Sequence, residues 1–398
     1  MIYSILDTDL YKFTVSYAYM KKFPDAECTF TFKDRNKVKR SQKFLNKFKN
    51  KLKEYCAKSH LTNNELQWLI ESRKVDFIAS YYWEWLLSFR FEYDKIKVYL
   101  DNEDVLCIEV TDKCYKATLY EIPCMYLIPE VNNEDKPIDW LVTLGKLNQK
   151  VELANKEGMF FSEFGTRRRF SYEVQNKICE YLKKYSKTCV GTSNVHFAMQ
   201  YNMKPIGTHP HEWFMFHGAQ YGYKAANYVA LENWVDVYDG DLGIALSDTY
   251  TSDVFFKSFS LKQAKLFDGV RQDSGDEYEF TDKTIDFYKS KGIDYHSKTI
   301  VFSNALDFPK AVEILKYCKE KGIKCSFGIG TNLTCDVYAP DGTKYDSENI
   351  VMKMSRCRMN SNQKWYLTIK ISDDIGKHMG DNDEFNHACY ELEIKIAA

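Results

Sequence analysis

An α/β fold is what this sequence predicts: a barrel of parallel strands that carries the chemistry, joined to an α+β unit assembled from both ends of the chain. Three observations lead to it. From about residue 135 short apolar runs alternate with helical stretches, the pattern of parallel strands with crossover helices. In six of these units the polar, acidic or glycine residues follow the apolar run, and in a parallel barrel such loops gather at one mouth, where active sites sit. Before and after this region come runs of period-two alternation, that of half-buried antiparallel strands, mixed in the first third with helical stretches. The expected division is therefore 1–134 with 346–398 as one discontinuous domain and 135–345 as the barrel.

Composition narrows the class further. A chain of 398 residues can bury a sizeable core, and 55 basic against 56 acidic residues leave a formal charge of -1. No overall field draws it to nucleic acid or to an anionic membrane, so an anionic ligand must be held by local groups. The twelve cysteines are scattered and none forms a Cys-x-x-Cys pair, which speaks against zinc and against a disulfide framework. No basic stretch followed by an apolar core opens the chain, and no segment is long enough to span a bilayer. The expectation is a soluble, reduced, cytoplasmic protein.

Taken in order, Asp7-Thr8-Asp9-Leu10-Tyr11-Lys12 reads as a helix start, with Thr8 or Asp9 placed to cap it. Cys28-Thr29-Phe30-Thr31-Phe32 alternates as a strand does. Residues 36–58 are dense in lysine, yet Phe44, Phe48, Leu52 and Tyr55 recur at helical spacing, so this is an amphipathic helix with a solvated face. Residues 96–100 and 105–110 read as strands around an Asn102-Glu103-Asp104 turn. In the barrel, strands are expected at 188–190, 205–206, 243–246, 267–270, 299–302 and 324–327, with helices at 225–237 and 309–321 among the crossovers. In the tail, 350–354, 365–371 and 390–394 alternate again and are expected to pack, as strands, with the N-terminal third.

The loops after the barrel strands hold the chemistry. Gly207-Thr208-His209-Pro210-His211-Glu212 places backbone N–H groups for an anion beside two imidazoles. Asp248 and Asp273 are carboxylates fit for a divalent cation or a ribose diol, and Arg271 and the run Arg167-Arg168-Arg169 suit phosphate or carboxylate. Gly328-Ile329-Gly330-Thr331 is a glycine pair of the kind a barrel phosphate site needs. Taken singly, each charged residue is as well explained by a surface ion pair. As a set they suggest a phosphorylated sugar.

Six motifs carry a resemblance. Thr8-Asp9-Leu10-Tyr11-Lys12, Glu163-Phe164-Gly165-Thr166-Arg167-Arg168, Gly191-Thr192-Ser193-Asn194, Gly207-Thr208 through His211-Glu212-Trp213, Val270-Arg271-Gln272-Asp273-Ser274-Gly275-Asp276 and Phe327-Gly328-Ile329-Gly330-Thr331 resemble, in order, those of the nicotinate phosphoribosyltransferase family. One departure stands out: Pro210, preceded by His209, sits where that family usually has a small residue.

The resemblance implies an irregular, incomplete α/β barrel and a homodimer with sites at the subunit interface. It also implies transfer of phosphoribose from phosphoribosyl pyrophosphate to nicotinate, with ATP as co-substrate. Phe164 and Tyr11, the latter from the partner subunit, would sandwich the pyridine ring, with Arg167 facing its carboxylate. Gly328, Gly330 and Thr331 would bind the 5'-phosphate, while Asp248, Arg271 and Asp273 hold ribose and pyrophosphate with magnesium. Thr208, Ser303 and Asn304 fall among the substrate-binding positions. Asn194 joins them as a base selector, since the nicotinamide-using relatives carry an aspartate there.

By the same resemblance His211 is the phosphorylated residue, with His209 as rival, since in an extended loop both rings project to one side. A neutral imidazole is a competent nucleophile, and a hydrogen bond to its other nitrogen holds the reactive tautomer, Glu212 being the candidate partner. Two alternatives stand beside this reading: a nicotinamide phosphoribosyltransferase, and a barrel that binds a phosphorylated sugar without turnover. The second would keep the glycine pair but has no need of Asp248 and Asp273 together.

Overall fold

The computed structural model describes residues 3–394. Its strands, in chain order, are β1 (Glu27–Asp34), β2 (Ile96–Leu100), β3 (Leu106–Lys113), β4 (Phe161–Glu163), β5 (Cys189–Thr192), β6 (Lys204–Pro205), β7 (Ile244–Leu246), β8 (Gly269–Gln272), β9 (Thr299–Phe302), β10 (Lys324–Ile329), β11 (Ile350–Arg358) and β12 (Tyr366–Leu367). They form two sheets.

The first has the order β12-β11-β1-β3-β2 and is antiparallel throughout. Its central strand β1 turns Cys28, Phe30 and Phe32 into the core, as its alternation requires. On one side β1 pairs with β3, and on the other with β11 along its whole length, from Glu27 opposite Arg358 to Asp34 opposite Ile350. The two ends of the chain therefore share one sheet, as expected.

The second sheet is parallel and curled, in the order β6-β5-β4-β10-β9-β8-β7. It has seven strands where the sequence suggests six; the additional one is β4, Phe161–Glu163, paired between β5 and β10. The edge strands β6 and β7 do not pair with each other among the described residues, so the barrel is incomplete. At that seam the Leu246 N–H donates to His209 Nδ1 at 3.4 Å, and the His209 ring packs edge-on against Trp234 at 4.4 Å. The crossover helices Tyr223–Tyr238 and Phe308–Lys321 agree with expectation; the second is capped by Asp307 and ended by Gly322 at φ 78°.

Three expectations need correction. Asp9 occupies the N-cap of the helix Leu10–Lys22 but makes no capping bond, since its carboxylate accepts from Ser193 Oγ at 2.6 Å; Thr8 does not cap it either. The lysine-rich helix starts later, at Gln42, where Ser41 accepts from the Phe44 N–H. In the tail only β12 of the expected 365–371 strand forms. At 390–394 no strand forms: Tyr390 and Glu391 end a helix, Asn382–Glu391, and a turn follows; Asp381 caps the acidic first turn of that helix, and its Ala388 and Cys389 are buried.

Candidate active site

Because the second sheet is parallel, the C-terminal ends of its strands open on one side. Phe164 follows β4, Asn194 follows β5, Thr208 to His211 follow β6, Asp248 and Thr249 follow β7, Asp273 follows β8, Ser303 and Asn304 follow β9, and Gly330 and Thr331 follow β10. Pro210, in extended conformation, is the N-cap of the helix His211–Tyr221, so His211 leaves the strand-end loop as the first helical residue.

His211 is the centre of the cleft. Its Nε2 lies 3.1 Å from Asp273 Oδ2, 3.0 Å from Lys370 Nζ and 3.8 Å from Asp248 Oδ1, while Nδ1 lies 3.1 Å from Thr249 Oγ1. Thr249, not Glu212, is therefore the group at the second nitrogen. Glu212 instead joins Lys12, Thr118 and Glu121 in a fully buried charged cluster behind the site. Burial and the nearby Lys370 lower the His211 pKa to about 4 against the pull of Asp248 and Asp273, so the imidazole is neutral at pH 7.

The acids are held just as firmly. Asp273 Oδ1 accepts from Ser303 Oγ at 2.7 Å and from Arg271 at 3.2 Å; Arg271 also donates to Ser303 Oγ and to Thr208 Oγ1, each at 2.8 Å. Burial pushes the Asp273 carboxyl up, but Arg271, His211 and Lys370 outweigh it and hold it well below the usual range. Burial raises the Asp248 carboxyl too, but Lys370 and His211 outweigh it and lower it, and its Oδ2 accepts from Ser274 Oγ at 2.6 Å. Its Oδ1 is buried without a hydrogen-bond partner. One ligand atom from each of His211, Asp248 and Asp273 falls within 4.8 Å of the others, and an orphaned buried carboxylate oxygen among them fits a cation.

Lys370 and Lys377 reach the cleft from the tail. Segment 368–377 crosses the mouth: Thr249 O accepts from the Ile371 N–H at 2.9 Å, Asp373 accepts from the Ser252 N–H at 3.0 Å, and Lys377 donates to Asp273 O at 2.6 Å and to Asn304 Oδ1. The turn beneath it is strained. Thr251 has φ 71° and ψ 150°, a region nearly reserved for glycine that costs a branched residue about 1–3 kcal/mol.

At the other end of the mouth the Phe164 ring lies directly over Gly328, where a Cβ would come within 2.5 Å of Cδ2. A Cβ on Gly330 would stand 3.0 Å from Phe164 O. Both glycines make room for Phe164, whatever else they bind. Arg167 keeps 30% of its side chain exposed, and the carboxylate it pairs with, Glu121, is 3.8 Å away, so it has capacity for another anion. Tyr11 is half-buried, and its backbone N packs 3.1 Å from where a Cβ on Gly207 would stand.

Not every residue singled out from the sequence comes to the cleft. Asn194 is fully buried and spent: its Nδ2 donates to Asp7 at 2.8 Å, and its Oδ1 accepts from the Phe197 N–H at 3.1 Å as the cap of the next helix. Arg169 is equally internal, forked onto Asp7 at 2.7 and 2.8 Å and paired with Glu130. Both are framework residues. Lys370, Lys377 and the role of Thr249 escaped sequence reasoning, since their partners lie far along the chain or in another loop.

A neutral buried imidazole beside a lysine and two acids, at the mouth of a parallel half-barrel, suits an enzyme that handles phosphate groups. The chain belongs to the nicotinate phosphoribosyltransferase family, whose model matches residues 159–395 and whose N-terminal domain matches residues 6–129. It is 40% identical over 391 residues to the nicotinate phosphoribosyltransferase of Chromohalobacter salexigens, covering 96% of each chain. The crystal structure of nicotinate phosphoribosyltransferase from Porphyromonas gingivalis is similar at TM-score 0.95 and 42% identity, over 99% of this chain and 100% of that one. That of a putative nicotinate phosphoribosyltransferase from Saccharomyces cerevisiae is similar at TM-score 0.91 and 32% identity, over 99% of each.

Proposed function

We propose that the protein transfers phosphoribose from phosphoribosyl pyrophosphate to the ring nitrogen of nicotinate, coupled to ATP hydrolysis through a phosphate carried on His211. The observation that carries this reading is the convergence of Asp248, Asp273 and Lys370 on one neutral imidazole. A ring nitrogen of His211 attacks the γ-phosphorus of ATP, the P–O bond breaks and ADP leaves with the electron pair. In the transfer itself the nicotinate ring nitrogen forms its bond to C1 of the ribose as the C1–O bond breaks, and that electron pair departs with pyrophosphate. Water later removes the phosphate from His211.

Positive charge develops on the ribose as pyrophosphate leaves, so stabilising the departing anion is most of what the protein can offer. Arg271, Lys370 and Lys377 are the cations placed for it, and Arg167 with Phe164 receives the pyridine carboxylate and ring. Asp248 and Asp273 would hold a magnesium ion, which when bound neutralises pyrophosphate charge. Thr208, Ser303 and Asn304 keep Arg271 and Lys377 in place, and Gly330 and Thr331 offer backbone N–H groups to the 5'-phosphate.

We assign the barrel to residues 135–345 and the discontinuous domain to 1–134 with 346–398. The twelve free cysteines favour a reducing cytoplasm. We further assign a homodimer in which Tyr11 of one subunit serves the site of the other. Mixing Tyr11→Ala with His211→Ala subunits should then restore about a quarter of the ATP-coupled activity, because half the dimers regain one intact site. The overall reading is tested by giving purified protein phosphoribosyl pyrophosphate with nicotinate or nicotinamide, with and without ATP, and measuring pyrophosphate. Release with nicotinate, increased by ATP, is expected; release only with nicotinamide, or none, contradicts it.

A further inference from the structure

We propose that Asp373 is a positioning residue: its carboxylate holds the strained turn at 249–252 so that Thr249 meets His211. Two facing segments each adopt a backbone conformation that their residues disfavour. In the turn after β7, Thr251 is at φ 71°; opposite it in the tail, Ser372 is at φ 64°. Neither is glycine, and such geometry persists only where neighbouring contacts impose it.

Those contacts join the two segments to each other. Both oxygens of Asp373 accept from the Ser252 N–H, at 3.0 and 3.2 Å, and Oδ1 accepts from Ser252 Oγ at 3.3 Å. The N–H groups of Ile371 and Ser372 donate to Thr249 O at 2.9 and 3.4 Å. Between these ties lie Tyr250, whose hydroxyl donates to Phe214 O of the His211 helix, and the strained Thr251. Thr249 Oγ1 is thereby delivered to His211 Nδ1 at 3.1 Å.

The consequence is chemical. A neutral imidazole has one proton and two tautomers, and its reactivity at either nitrogen depends on what the other nitrogen is bonded to. Thr249 can set that choice only while its turn is held. Asp373 touches neither His211 nor any group assigned to substrate, so it acts at one remove. Its backbone N–H also donates to Ser274 Oγ, which in turn binds Asp248, so the clamp is anchored on the acid side of the cleft as well.

The inference rests on the reading of His211 as phosphoryl acceptor, and the experiment separates the two. Asp373→Ala, Asp373→Asn, Thr251→Gly and the Thr251→Gly, Asp373→Ala pair are compared for the rate of His211 labelling by ATP, KM for nicotinate, and the ¹⁵N imidazole NMR shifts of His211. Asp373→Ala should slow labelling about tenfold with nicotinate KM within about twofold, since misplacement of a reacting group costs rate more than binding. Asp373→Asn keeps an oxygen for the Ser252 N–H and should lose about threefold. Thr251→Gly removes the strain the clamp opposes, so it should restore most of the rate lost in Asp373→Ala. Wild-type labelling in Asp373→Ala, or no rescue in the pair, overturns the proposal. Where Asp373→Ala fails to fold, Asp373→Asn with and without Thr251→Gly decides in the same way. If His211 carries no label even in the wild type, the acceptor reading has failed; His211 shifts that reach one tautomer in the wild type and an average in the Asp373 variants would still sustain the clamp, and identical shifts would sink it.

Discussion

Lys370 brings its ammonium to 3.0 Å from Nε2 of His211 across 159 residues of chain. It also stands 3.4 Å from Asp248, so this one cation contacts both the imidazole and an acid. A phosphate arriving at His211 would face the Asp248 and Asp273 carboxylates; Lys370 is placed to offset them. Lys370→Met, similar in length and uncharged, should slow ATP-dependent labelling at least about tenfold, or about 1.4 kcal/mol. Unchanged labelling would show that the amine merely fills the cleft.

Asp273 is bonded to His211, Arg271 and Ser303 at once. Asp273→Asn keeps the shape and removes the charge, so it should lower kcat at least about tenfold and, because Arg271 loses a charged partner, lower the unfolding temperature while the protein still folds. Steady-state kinetics and calorimetry check the pair of outcomes. Equal turnover would reduce this acid to an ion-pair partner.

If Arg167 receives the pyridine carboxylate, as proposed, base choice rests on a guanidinium that is partly exposed and 3.8 Å from Glu121. Arg167→Gln should raise KM for nicotinate at least about tenfold and narrow the preference over nicotinamide, because a charge-assisted pair with the carboxylate is lost. Asn194→Asp should act differently. It sets a second carboxylate against Asp7, 2.8 Å from the present amide nitrogen, and so should lower stability rather than switch the base. A folded Asn194→Asp protein with reversed base preference would refute this assignment.

Acid should destabilise the fold through its buried histidines. Burial lowers His209 and His217 to about 3, and burial with Lys370 lowers His211 to about 4. The unfolded histidine titrates near about 6.5, so between that pH and the folded value the unfolded chain binds more protons, and stability rises with pH. Above about pH 6.5 they cost nothing; as pH falls below it each ring lowers stability by up to about 1.4 kcal/mol per pH unit, down to about 4 for His211 and about 3 for His209 and His217. Urea midpoints across that window should show a shallower slope in His209→Asn, which keeps an acceptor for the Leu246 N–H. An unaltered slope would mean that His209 does not stay neutral.

Much of this was legible in the sequence because strand ends and loops are local. Asp248, Arg271, Asp273, Ser303 and Thr208 follow apolar runs, and parallel pairing necessarily brings such positions to one mouth. What escaped is what depends on distant chain. Lys370 lies in a stretch that alternates like a strand, and nothing local marks it as a neighbour of His211. Asn194 shows the converse: its loop position matched a motif, but Asp7, far earlier, claims its amide. For His209 and His211 the extended-loop expectation of rings on one side failed because Pro210 ends the extended segment and His211 begins a helix. His209 is left on the barrel seam with Leu246 and Trp234, while His211 faces the acids.

That separation makes the central claim directly measurable. Protein incubated with γ-labelled ATP, then split between acid and base treatment, should carry phosphate that is acid-labile and base-stable, as a phosphohistidine is. The label should vanish in His211→Ala and persist in His209→Asn, while a slower ATP-independent formation of nicotinate mononucleotide survives in His211→Ala. Label retained in His211→Ala, or abolished only in His209→Asn, would contradict the account.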